Sequence, residues 1–200
     1  MTSEPDAIAA GLRHAIDALR GANVRFALAG GLAVAVRGEP RFTADVDLVV
    51  AVANDRAMEA LVFQLRDAGF RVVALVEHEA RGRLSTARLA SPLGPVIDLI
   101  AATCGIEAEI VERATDVVIP GIGPLAVARA EELLAMKVLS MTDRRPQDRM
   151  DAIGIVLVTA DQLDLDVVVD NLRRITDRGY HRDQDLVRKL DDALAAARGG

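Results

Sequence analysis

Asp45 and Asp47 stand two residues apart in an apolar run that continues Leu48-Val49-Val50-Ala51-Val52. Side chains two apart on a strand share one face, so such a run sets two carboxylates side by side among aliphatic neighbours. Carboxylates leave water at a high cost unless a cation neutralises them. The economical neutraliser is a divalent ion, magnesium, arriving with a nucleoside triphosphate. Upstream, Ala29-Gly30-Gly31-Leu32 follows a short apolar stretch, and a Gly-Gly turn lets backbone amides approach a phosphate closely. A third acid, Asp98, interrupts the apolar segment from Pro95 to Ala101, where aspartate is intrinsically disfavoured. If these strands adjoin, Asp45, Asp47 and Asp98 converge on one sheet edge. There they can hold two metal ions roughly 3.5–4 Å apart, one activating an attacking oxygen and the other screening the triphosphate. The competing reading places all three acids on edge strands, facing solvent.

Composition narrows the partners. The chain has 200 residues, enough for a sizeable core. A formal net charge of −6 argues against a general nucleic-acid binder. Aromatic residues make up 2% with Tyr180 the single tyrosine, so no base-stacking platform is visible and RNA contacts would fall to local arginines. Cys104 is the lone cysteine, which excludes an internal disulfide and a cysteine zinc cage. It reads as a small buried side chain, and a reducing cytoplasm is the expected compartment. No window has the apolar length of a membrane span, and the first six residues are acidic rather than signal-like.

Periodicity predicts helices over 7–19, 31–36, 54–68, 129–142, 146–159, 165–176 and 182–197, with strands over 24–29, 45–52, 70–76, 83–90, 96–101 and 117–119. Ser91-Pro92-Leu93-Gly94-Pro95 is a hairpin turn between two antiparallel strands. The expected architecture is α+β: a mixed sheet flanked by helices over residues 1–127, then a helical region over 128–200 packed on that core.

The Gly-Gly turn, the stretch Arg41-Phe42-Thr43-Ala44-Asp45-Val46-Asp47 and the later strand acid Asp98 together resemble the nucleotidyltransferases of the DNA polymerase β superfamily. The closer likeness is to the AbiEii/AbiGii-type toxins of type IV toxin–antitoxin systems. It extends to Lys137 on a later helix, the basic loop Arg144-Arg145-Pro146-Gln147, and the pair Asp148 and Asp151. The likeness spans roughly residues 24 to 155. It implies a nucleotidyltransferase-like sheet and a magnesium-dependent enzyme with two ions on Asp45, Asp47 and Asp98. It further implies transfer of a nucleoside monophosphate from NTP to a hydroxyl, with a tRNA 3′ end as a candidate acceptor and an antitoxin protein as partner. Gly30 and Gly31 fall to the triphosphate loop, Arg41 and Thr43 to nucleotide contacts, and Asp98 to metal or to the base for the attacking hydroxyl. Lys137 neutralises phosphate charge, a task suited to a flexible ammonium. Two other readings stay open: a small-molecule, aminoglycoside-type transferase, and an inactive module of the same fold. The region after Thr159 is short for such toxins, leaving less surface for a tRNA.

The remaining candidates divide between chemistry and support. Asp148 and Asp151, at i and i+3 on one helix face, play a supporting role, capping the helix or holding Arg144 or Lys137 by a salt bridge. Arg88 or Arg83 reaches the nucleotide, and the pattern leaves the two open. Arg37 and Arg41 flank the substrate-facing loop as candidate phosphate contacts. His14, His78 and His181 share no metal spacing and read as surface residues. Asp164 N-caps a helix. Arg173, Arg174, Arg178, Arg182, Arg188 and Lys189 form a basic face, read as solvated, with an RNA phosphate track as the alternative.

Overall fold

A computed structural model describes residues 4–37 and 45–199. Arg41 and Thr43 lie outside the described residues. The chain begins with α1 (Glu4–Gly21), whose Leu12, Ala15, Ile16 and Leu19 form one apolar stripe and are buried. β1 (Phe26–Ala29) leads directly into α2 (Gly30–Arg37), and β2 (Val46–Val50) returns antiparallel to it. α3 (Asp55–Asp67) starts at Asn54, whose side chain accepts the Ala57 amide 3.0 Å away. β3 (Arg71–His78), β4 (Arg83–Ala90) and β5 (Val96–Ile100) follow, with the proline-glycine turn between β4 and β5 as expected.

Among the described residues, seven strands form one sheet in the order β3-β4-β5-β2-β1-β7-β6, where β6 is Thr115–Ile119 and β7 is Gly123–Val127. β2 and β5 pair in parallel, as do β1 and β7; the other neighbours are antiparallel. The acid-bearing strands β2 and β5 are therefore interior. Val46, Leu48, Val49, Val50, Ile97 and Leu99 are buried, as strands covered on both faces must be. The edge positions fall to β3 and β6, so the reading of the acids as edge-strand residues fails on topology.

Four helices close the chain: α5 (Ala130–Ser140), α6 (Pro146–Thr159), α7 (Leu165–Asp177) and α8 (Leu186–Gly199). α5 and α6 pack on α2, which brings the helical region against the Gly-Gly turn. Two elements were invisible to periodicity. β7 starts with Gly123 and Pro124, residues that disfavour strands, and exists because β1 and β6 pair with it on either side. α4 (Glu107–Arg113) is only seven residues long and starts where Glu107 accepts the Cys104 amide at 2.8 Å. The last helix begins at Leu186 rather than Arg182, because Arg182 and Asp183 both adopt φ of +56°, outside helical space. Among the described residues no helix is long and apolar enough to cross a membrane.

Candidate active site

Pairing of β2 with β5 sets Asp47 directly beside Asp98, and pairing of β4 with β5 sets Arg88 beside Asp98 on the other flank. Three residues from three strands are thereby placed in one row across the sheet. Arg88 Nη2 lies 3.1 Å from Asp45 Oδ2, and its Nε lies 3.6 Å from Asp98 Oδ1. One guanidinium thus ties the outer acid to the inner one. The structure also separates the two arginine candidates: Arg83 turns to Asp55 at 3.4 Å, outside this cluster.

Asp47 is fitted beneath the Gly-Gly turn. Gly30 has φ of +60°, and a Cβ there would overlap the Asp47 carboxylate, so both the backbone and the space demand glycine. The Gly31 amide donates to that carboxylate, which occupies the positive end of α2. Even so, the Asp47 carboxyl is pushed up to about 6, first by removal from water and next by the neighbouring Asp98 charge, against the opposing pull of Lys137. Asp98 is likewise held above its usual range by burial, with Arg88 opposing. Its buried Oδ1 has no hydrogen-bond partner; the Arg88 contact at 3.6 Å is an ion pair beyond hydrogen-bond length.

Gly30, Asp47, Asp98, Lys137, Arg145 and Arg182 line one cleft of about 210 Å³. Lys137 enters it from α5, with Nζ 2.7 Å from Asp148 and 2.8 Å from Asp151, both on α6 and both buried. These two acids therefore hold the lysine, and Arg145 adds a contact to Asp148 at 3.1 Å. Gln147 Nε2 donates to Asp151 at 2.9 Å and completes the bracket.

Carboxylates that repel one another, a buried oxygen with no donor and a single bridging guanidinium form a donor set suited to a hard divalent cation. Asp47 and Asp98 are its inner pair and Asp45 its outer member. Among the described residues, no three histidine, cysteine or acidic side chains are already gathered around one metal position.

Several expectations need correcting. Arg37 is a structural tie: its guanidinium donates to the carbonyls of Val127 at 2.9 Å and Ala128 at 3.1 Å, and to Thr115 Oγ1 at 2.5 Å, binding α2 to β7 and β6. Nor are the histidines simple surface residues. His14 stacks on Phe70 and contacts the Ala68 carbonyl, while His78 meets Tyr180 edge-on. The basic face is also less free than it reads. Arg174 and Arg178 both pair with Glu109, and Arg173 pairs with Asp170. Cys104 is buried, and Asp164 caps α7 through the amides of Asp166 and Val167. The fully buried Glu132 was not anticipated. It accepts from Arg113 and Asn171 at 3.3 Å each, joining α5 to α4 and α7. Its place beside Glu131 in the first turn of α5 reads as an ordinary helix-start acid, so the sequence offered no distinct signal for it.

Comparison with solved structures places this fold among the nucleotidyltransferases. An antigenic nucleotidyltransferase-like protein from Paracoccidioides brasiliensis aligns at TM-score 0.51 and 19% identity, covering 93% of each chain. MenT4, a nucleotidyltransferase toxin from Mycobacterium tuberculosis H37Rv, aligns at TM-score 0.39 and 15% identity, covering 96% of this chain and 93% of that one. No curated protein matches the sequence. Residues 15–154 match the family described as nucleotidyl transferase AbiEii toxin, type IV TA system, a span holding the Gly-Gly turn, all three strand acids, Lys137 and its two carboxylates. The chain belongs to the AbiEii nucleotidyltransferase family.

Proposed function

We propose that this nucleotidyltransferase moves a nucleoside monophosphate from a magnesium-bound nucleoside triphosphate to a hydroxyl at a tRNA 3′ end, as the toxin of a type IV pair with a cognate antitoxin. The observation that carries the chemistry is the in-register meeting of Asp47 and Asp98 under the Gly30 turn, opposite Lys137 in one cleft. The acceptor assignment draws support from the toxin family.

In this reading the acceptor oxygen attacks the α-phosphorus, the bond to the β-phosphate oxygen breaks, and pyrophosphate leaves. Asp98 Oδ1, buried and without a donor, takes the hydroxyl proton as the general base. Magnesium held by Asp45, Asp47 and Asp98 supplies charge neutralisation at the phosphates. The amides of the Gly30–Gly31 turn bind the phosphate chain at the start of α2. Lys137, fixed by Asp148 and Asp151 rather than swinging free, offers a pre-positioned charge to the transferred phosphoryl group.

Incubation of the purified protein with each labelled NTP, magnesium and total tRNA tests the proposal. Label appearing in tRNA with wild type and not with Asp47→Ala is the expected result. Transfer confined to small molecules such as aminoglycosides would overturn the tRNA acceptor, and absence of transfer to any acceptor would overturn the whole reading.

A further inference from the structure

Arg182 sits in the loop between α7 and α8, well outside the segment that matches the family, yet it lines the same cleft as Asp47, Asp98 and Lys137. The other cations at this site are engaged: Arg88 with Asp45 and Asp98, Lys137 with Asp148 and Asp151, and Arg145 with Asp148. Among the described residues Arg182 joins none of these ion pairs. Its Nη2 lies 3.5 Å from the Thr103 carbonyl, at the outer limit of a hydrogen bond.

Its backbone is equally unusual. Arg182 and the following Asp183 both hold φ of +56°, a region costly to any residue with a Cβ. Strain of this kind persists where the surroundings over-determine it and clusters where a ligand is held. The strained turn is what ends the approach to α8 and points residue 182 at the cleft rather than along a helix. A second cation stands behind it. Lys189, on α8, contacts the Leu139 carbonyl and Gln184, and its ammonium is held below its usual range by burial and then by the Arg182 charge. Lys189 does not itself line the cleft; its charge lies close enough to be felt by Arg182, which does, and such like charges gain from an anion placed before Arg182.

We propose that Arg182 binds the phosphate chain of the nucleoside triphosphate, making the α7–α8 loop part of the nucleotide site. This rests on the nucleotidyl-transfer reading above and extends it to a residue outside the family segment. A guanidinium suits the task because its planar fork donates paired N–H groups to phosphate oxygens.

Calorimetry with ATP, CTP, GTP and UTP, each with magnesium, and with the matching nucleosides tests the assignment on wild type, Arg182→Gly, Arg182→Lys and Asp183→Gly. Glycine adopts φ of +56° freely, so Arg182→Gly melts at or above the wild-type temperature. It nevertheless binds the preferred NTP at least about tenfold more weakly, with nucleoside affinity unchanged. Arg182→Lys recovers part of the loss, and Asp183→Gly, which relieves strain without touching the guanidinium, binds NTP as wild type does. NTP affinity unchanged in Arg182→Gly overturns the proposal and leaves the transferase reading standing. An equal loss for NTP and nucleoside also overturns it, as the mark of a merely structural role. Wild type that binds no NTP at all defeats both.

Discussion

Replacing Asp47 with asparagine separates what the site does for the fold from what it does for chemistry. In the metal-free protein the Asp47 carboxyl titrates at about 6 instead of 3.8, because it is withdrawn from water beside Asp98. The folded value lies above the unfolded one, so the native state keeps a proton that the unfolded chain releases between the two. Stability is therefore greatest below pH 3.8 as far as this group is concerned, and falls as pH rises through about 6. The full gap corresponds to about 3 kcal/mol. Asp47 is half-buried, and solvent screening reduces the expected cost of its charge to about 1–2 kcal/mol at pH 7.5. Asparagine carries no charge yet still offers an oxygen to the Gly31 amide. Asp47→Asn in EDTA therefore melts about 3–6 °C above wild type at pH 7.5. The difference shrinks to nothing by about pH 4, where both carry a neutral side chain. Differential scanning calorimetry across that range checks it. A variant less stable than wild type at pH 7.5, or a stability difference independent of pH, would refute the account of a carboxylate strained by burial and by Asp98. The same variant loses transfer activity.

Three other perturbations address the scaffold. Lys137→Met strands the buried Asp148 and Asp151 without their shared cation and lowers stability by about 3–5 kcal/mol in urea denaturation; a loss below about 1 kcal/mol would show that the bracket does not depend on the lysine. Gly30→Ala, at φ +60° against the Asp47 carboxylate, costs about 2 kcal/mol or more. That penalty is smaller in an Asp47→Ala background, although the Asp47 Cβ at 2.7 Å keeps the rescue partial; equal penalties in both backgrounds would place the conflict elsewhere. Arg37→Ala reduces stability by about 1–3 kcal/mol and leaves the NTP dissociation constant unchanged; a weakened NTP affinity at unaltered stability would return Arg37 to the phosphate site.

Much of the molecule is written in local pattern. The acids on and beside β2 and β5, the glycines that open α2, the cap at Asn54, Pro146 at the head of α6 and the turn before β5 all depend on neighbours within a few positions. Apolar spacing exposes such features in a single chain. The two carboxylates of α6 were legible as a pair, because i, i+3 spacing on a helix fixes a shared face, while the lysine they hold came from the family resemblance. Other assignments required partners distant along the chain. Arg83 and Arg88 sit five residues apart on one strand, and only the β4–β5 register sends Arg88 to Asp98 and leaves Arg83 with Asp55. Arg37 looks like a phosphate contact until β7, a strand without its own strand signal, presents carbonyls to it. Arg182 reads as one member of a basic face, and its arrival at the cleft that Asp98 lines follows from how α7 and α8 turn around the sheet. Composition and periodicity thus marked which segments bury and which acids sit among aliphatic neighbours, since those are short-range energetic demands. Which side chains meet was decided by strand register and helix packing, because contacts such as those of Arg37 with carbonyls 90 and 91 positions away are set by the whole core and not by any one segment of it.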